Sequence, residues 1–341
     1  MPLSPTIPLG AFTNQTVAAI NSALAQAGLA ATTGNIFYVD PVNGLDTNNG
    51  QVPNSPTVPS GVGPVQTLQA GYNLLRSGYN DVLVLLSNGA TSGTARLGAG
   101  FTWAKNSAHL VGVGPAGRVG PWARIAPTLG IAAFANFFTI TGSGCIFSNI
   151  NWFQGFTAGV AASICVTLKG GAQGNAFLGC AFQGMGDVTS ATDAGSRCLL
   201  ITGGAQENYF YGCYLGIDTV ERTNANATVE IAGGGPRNIF EKCIFPFWSS
   251  DGLQYALLGA AAAAIDRWVL FIGCQFIATV AGAGVAIAAA FHLVATVGGI
   301  LCFDSTSGLF NFTAIGDATT KAQIFVSGGT ATDGVKGIVA T

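Results

Sequence analysis

The chain has 341 residues, of which only 8% are charged and 49% are hydrophobic; it carries 49 glycines and a net charge of −2. A globular domain usually has about 25% charged residues, so much of this surface is expected to meet protein rather than free solvent. No basic run is present, which argues against nucleic acid as a partner, because phosphate neutralisation needs clustered Lys and Arg.

Residues 1–34 read as an N-terminal arm. Met1-Pro2-Leu3-Ser4-Pro5 has neither the positive region nor the apolar run of a secretory signal. Asn14 to Gly28 is predicted helical: Thr13 or Asn14 can cap it, and Val17, Ile20 and Leu24 share one face. It is short, so it is expected to pack on a neighbour or a partner subunit. Thr32 to Gly34 reads as a linker.

Residues 35–135 read as a cap and first rungs. Phe37-Tyr38-Val39-Asp40 is followed by Asn43-Gly44-Leu45-Asp46 and a loop rich in Pro, Gly and Ser. A short helix from Val65-Gln66-Thr67-Leu68 to Leu75 comes next, then the strand Asp81 to Leu86 and His109-Leu110-Val111-Gly112-Val113-Gly114. Gly112-x-Gly114-x-x-Gly117 has dinucleotide-fingerprint spacing, but Pro115 and Pro121 leave no room for the helix that motif needs.

Residues 136–310 repeat. Phe177-Leu-Gly-Cys180-Ala-Phe182 recurs at Phe210/Cys213/Leu215, Phe240/Cys243/Phe245 and Phe271/Cys274/Phe276, with spacings of 33, 30 and 31 residues. Phe147-Ser-Asn-Ile150-Asn-Trp152 is a weaker copy upstream. In three units a glycine pair (170–171, 203–204, 233–234) precedes Asn175, Asn208 or Asn238, and alternating apolar residues such as Val166-x-Leu168 precede the glycines. Period-2 alternation predicts strands, and the glycines permit left-handed corners. Units that cannot bury an apolar face alone stack and share a core. The fold class predicted is therefore all-β, a right-handed parallel β-helix with an N-terminal helical arm and a capping helix. Cys180, Cys213, Cys243 and Cys274 should stack inside it, with Cys165 and Cys198 opening a second column. Stacked asparagines should exchange amide hydrogen bonds. Residues 311–341 read as a C-terminal segment.

The order "YVD…G.D", capping helix, "D.I.V" strand resembles the start of pectin-lyase-like β-helix proteins, from Phe37 to about Phe276. The resemblance implies that the short helix plugs the solenoid end and covers its open sheet edge. It implies little about function, because the fold hosts lyases, hydrolases, adhesins and virion proteins.

The catalytic sets of the pectinolytic members are missing. There is no Asp-Asp pair, and neither His109 nor His292 lies in a Gly-His-Gly. Glycoside hydrolysis needs two close carboxylates; the candidates are Asp187, Asp193, Asp218, Glu221 and Asp251, of which Asp187, Asp218 and Asp251 follow equivalent strands and would line one groove. No Cys-x-x-Cys occurs among Cys145, Cys165, Cys180, Cys198, Cys213, Cys243, Cys274 and Cys302, so neither a metal nor a cofactor is expected, and the thiols read as buried and free. Ile277 to Phe303 lacks acidic residues, Lys and Arg, but its glycines suit solenoid strands better than a membrane span.

No catalytic residue is therefore assigned. The leading expectation is a structural virion protein of a tailed bacteriophage: a homotrimeric capsid decoration, or cement, protein bound to the major capsid protein. Arg197, Arg237 and Arg267 are candidates to bridge its subunits. The alternative is a tailspike that binds or depolymerises host polysaccharide, with Tyr211, Tyr214, Trp248, Tyr255 and Trp268 stacking on sugars.

Overall fold

The computed structural model describes residues 34–53, 61–87, 91–114, 117, 119–121, 123–128, 135–155, 161–282, 285–294, 298–316, 320 and 323–327. The helix expected within the arm lies outside these. Strands form three parallel sheets of ten, eight and nine members, here called A, C and B in that order. Every strand pairs with its counterpart one rung away, as in Ala176↔Ile146 and Ala176↔Tyr209. This is the predicted right-handed parallel β-helix.

One turn shows how the sequence makes a rung. Ile146–Ser148 lies in sheet A. The chain bends at Asn149 (φ 54°) and continues as Asn151–Phe153 in sheet B. A longer loop leads to Ile164–Lys169 in sheet C. Gly170 (φ 63°) then turns the chain back towards sheet A. The A-to-B bend recurs at Gly179, Gly212, Lys242 and Gly273, all with φ between 52° and 62°. Glycine suits three of these five bends because it has no Cβ to clash in the left-handed region.

Inward side chains form columns. Phe147, Phe177, Phe210, Phe240, Phe271 and Phe303 stack nearly parallel, with centroids 5.1, 4.7, 4.5, 5.2 and 4.7 Å apart. Each is removed from water, a contribution of about 1.5–3 kcal/mol per ring. The predicted cysteine column is present and buried. Each thiol donates to the carbonyl of the phenylalanine one rung below: Cys180 to Phe147, Cys213 to Phe177, Cys243 to Phe210 and Cys274 to Phe240, at 3.2–3.4 Å. The second column also forms, because Val166↔Leu199 and Ile164↔Arg197 place Cys165 beside Cys198.

The asparagine ladder sits at the corner before sheet A. Asn175 Nδ2 donates to Asn208 Oδ1 at 3.0 Å, and Asn208 Nδ2 donates to Asn238 Oδ1 at 3.1 Å. All three side chains are buried.

The short helix is Leu68–Leu74, capped by Thr67, whose hydroxyl accepts from the Ala70 amide. It packs on the first strands of sheets A and B. Gly71 lies so close to Val39 and Leu83 that a Cβ would fall 2.5 Å from one and 2.7 Å from the other. Lys105 Nζ donates to the Tyr72 and Leu75 carbonyls at 2.6 Å, completing the helix C-terminus. Past residue 310 the solenoid continues through Phe312–Gly316 in sheet C and Ile324–Val326 in sheet A.

Candidate functional surfaces

Asp187, Asp193 and Asp251 fall on loops that follow sheet-B strands, whereas Asp218 and Glu221 lie on the strand Ile217–Arg222 itself, and most of the five are committed locally. Asp187 caps the short helix Val188–Ala191, accepting from the Ser190 amide at 3.0 Å and its hydroxyl at 2.6 Å. Asp193 accepts from the Ala162 and Gly195 amides at 2.6 and 2.9 Å. Asp251 accepts from the Leu253 amide at 2.7 Å. Asp218 is exposed beside the Tyr214 hydroxyl, whose pKa is raised first by burial and then by this carboxylate. Glu221 is half-buried on the strand Ile217–Arg222. Asp187, Asp193 and Asp251 are thus loop-capping acids, bonded within their own rungs or the next, rather than a matched acid and nucleophile.

Two of the arginines named as candidates to bridge subunits pair within the chain, and the third is exposed. Arg197 is buried and donates to Glu230 at 2.7 Å. Arg237 pairs with Glu207, and Arg267 lies 3.8 Å from Asp266. The first two pairs leave no mark along the chain, because partners 33 and 30 residues away become neighbours only once the rungs stack.

The aromatic candidates do not form one platform. Tyr211 and Trp268 belong to sheet A, Tyr214 and Trp248 to sheet B, and Tyr255 to sheet C. Tyr214 is buried, and Tyr255 stacks on His292 at 4.8 Å. Among the described residues no group of three or more His, Cys, Asp and Glu could hold a metal ion, and no helix is long and apolar enough to cross a membrane.

The outer face of sheet A is not foreshadowed by the sequence repeat, whose recurring residues all point inward. At its first strands Tyr38, Val82, Val84 and Val111 make a second apolar cluster, separate from the interior and itself buried within the chain. Further along, the residues that alternate with the inward phenylalanines are Leu178, Tyr211, Ile239, Leu270 and Ile272, half-buried or exposed. Glu241 is the charged member of these strands' outer face, and it accepts from the Tyr209 hydroxyl at 2.7 Å. From the strand Ile146–Ser148 onward the exposed part of the face is thus a largely apolar strip along the solenoid axis.

Comparison with known proteins places the fold. No protein-family model matches the chain, and no curated protein does. Among solved structures, pectate lyase Pel9A matches with 16% identity and a TM-score of 0.58, covering 86% of this chain and 68% of that one. A pectin methylesterase variant in complex with a hexasaccharide matches with 11% identity and a TM-score of 0.55, covering 91% and 94%. Pectin methylesterase PemA from Erwinia chrysanthemi matches with 11% identity and a TM-score of 0.50 over the same shares. At these identities the likeness is one of architecture: the chain has the pectate-lyase-like right-handed parallel β-helix fold.

Proposed function

We propose that the chain is a structural, self-associating protein of a tailed-bacteriophage virion, a homotrimer that decorates and stabilises the head. The apolar strip on the outside of sheet A carries this reading. Contiguous apolar surface of this extent marks protein contact, and with 8% charged residues the chain has little else to offer solvent. The seven strands from Ile146–Ser148 to Ile324–Val326, whose outward side chains are at least partly exposed, give at about 4.8 Å per rung a strip roughly 30 Å long, along which solenoids can pack side by side about a symmetry axis. The local commitment of Asp187, Asp193 and Asp251 supports a scaffold rather than an enzyme. The test is addition of purified chain to expanded empty heads. Binding at repeating lattice positions is expected, and label confined to tail tips would refute it.

A second reading is a β-helix that binds or depolymerises polysaccharide. The solved structures that match are pectin-acting enzymes, and one holds a hexasaccharide, which favours this reading more directly than the first. Sugar release from host capsule or polygalacturonate, abolished by Asp218→Asn or Asp251→Asn, would establish it over the scaffold.

A further inference from the structure

Arg222 points inward. Its strand pairs with Ile244–Ser249 in the register Ile217↔Phe247 and Arg222↔Ser249, and both partners face the core. Its side chain has no exposed surface. One terminal nitrogen, Nη1, donates to Thr228 Oγ1 at 3.0 Å and reaches Asn226 Oδ1 at 3.4 Å. The guanidinium lies over the Phe247 ring, 5.3 Å from its centroid. Nε and Nη2 are buried and have no partner.

Burial pushes the Arg222 pKa down only to about 10, so the group is a full cation at neutral pH. No carboxylate pairs with it among the described residues. The charged side chain it feels is another cation, Arg197, already bound to Glu230. The Cys198 sulfur is beside it and shares a side-chain hydrogen bond with it, but burial raises that thiol's pKa, so it brings no negative charge. An unpaired charge in a dry interior costs several kcal/mol. The other arginine buried in this part of the solenoid has its countercharge: Arg197 donates to Glu230 and to two carbonyls. The two open donors of Arg222 share one edge of the guanidinium, the edge with which arginine takes a carboxylate side-on.

We propose that this edge is a structural binding site for a small monovalent anion of chloride size, held inside the solenoid at the corner between sheets B and C. The anion supplies the missing negative charge and accepts from Nε and Nη2 together. Thr228 stands one rung above Cys198, where the column of thiols would otherwise continue. Its hydroxyl oxygen takes the opposite edge of the guanidinium and fixes the open edge in place. This site is independent of either functional reading above.

The test is a crystal of the full chain grown or soaked in bromide. An anomalous peak within about 3.3 Å of both Nε and Nη2 is expected. A water refined there with no bromide signal overturns the proposal. Melting of the wild-type chain gives a second readout: at constant ionic strength, each tenfold replacement of gluconate by chloride above saturation should raise Tm by about 2 °C. Equal melting in both salts also overturns it. Arg222→Lys keeps the charge but loses the two-donor edge, so it should abolish the chloride dependence.

Discussion

Asn208→Ala should be among the most damaging single changes in the solenoid. The Asn208 side chain makes four hydrogen bonds: Oδ1 accepts from the Asn175 amide (3.2 Å) and Asn175 Nδ2 (3.0 Å), and Nδ2 donates to the Ala172 carbonyl (3.1 Å) and Asn238 Oδ1 (3.1 Å). Truncation does not strand all four partners. Asn175 Nδ2 still reaches the Gly142 carbonyl, and Asn238 Oδ1 still accepts from the Asn208 amide. The Asn175 N–H is left bare, and the Ala172 carbonyl keeps only its long contact from the Gln206 amide at 3.2 Å. At about 1–3 kcal/mol for the buried group that loses its partner, with smaller terms for the weakened Ala172 carbonyl and the lost volume, the total is about 2–4 kcal/mol. Chemical denaturation of variant and wild type, compared at their midpoints, measures it. Asn208→Asp should cost at least as much, because it keeps the acceptor but buries a charge and loses the donor. A loss under 1 kcal/mol for the alanine variant would show that water enters the corner and that no group there is orphaned.

Two further outcomes follow from buried titratable groups. His109 is buried and accepts from the Ile146 amide through Nδ1 at 3.1 Å; burial lowers its pKa to about 4, with Asp81 opposing weakly. The unfolded chain then holds the extra proton between pH 6.5 and 4, so this stability is full above 6.5 and lost as pH falls to 4, by about 3 kcal/mol in all. His109→Asn, which offers Oδ1 as the acceptor, should flatten that window in a pH series of melting curves. Burial raises the Cys180 thiol to about 12 and shifts Cys145, Cys165, Cys198 and Cys243 upward as well. A thiol reagent at pH 8 should therefore label only half-buried Cys302 in the native chain and all eight cysteines after unfolding; rapid labelling of more than one native thiol would contradict the column.

What was legible in the sequence was whatever the interior repeats. The phenylalanine, cysteine and asparagine columns recur because each rung must offer the next the same shape and the same donor or acceptor, so their spacing survives in one chain. The glycine of Leu-Gly-Cys, Tyr-Gly-Cys and Ile-Gly-Cys was visible too, although Lys242 at φ 52° fills the same bend without being one. Partnerships across rungs were not legible. Arg197 finds Glu230 and Arg237 finds Glu207 only after stacking, and nothing in their neighbours along the chain announces it. Arg222 was harder still. It follows Glu221 in what reads as a polar surface stretch, and the register slips between Ile217 and Arg222, so the parity that assigns inside and outside is reset there.

The same contrast between inside and outside bears on function. A β-helix enzyme presents its chemistry on loops and outer faces, where the repeat imposes nothing, and residues there are free to converge on a substrate. Here the loop acids Asp187, Asp193 and Asp251 are spent on local backbone, while the outer face of sheet A keeps an apolar character over successive rungs that interior packing does not require. An exterior that stays apolar along its axis is what a permanent contact between solenoids demands. Replacing Leu270 with Glu within the strip separates the two uses of this surface. The half-buried side chain faces outward, so the monomer should still fold and melt within a few degrees of wild type. Its molar mass in solution should fall from that of an oligomer to that of one 34.5 kDa chain. A wild-type protein that is already monomeric at micromolar concentration would remove the strip as a subunit interface and leave polysaccharide as the partner to pursue.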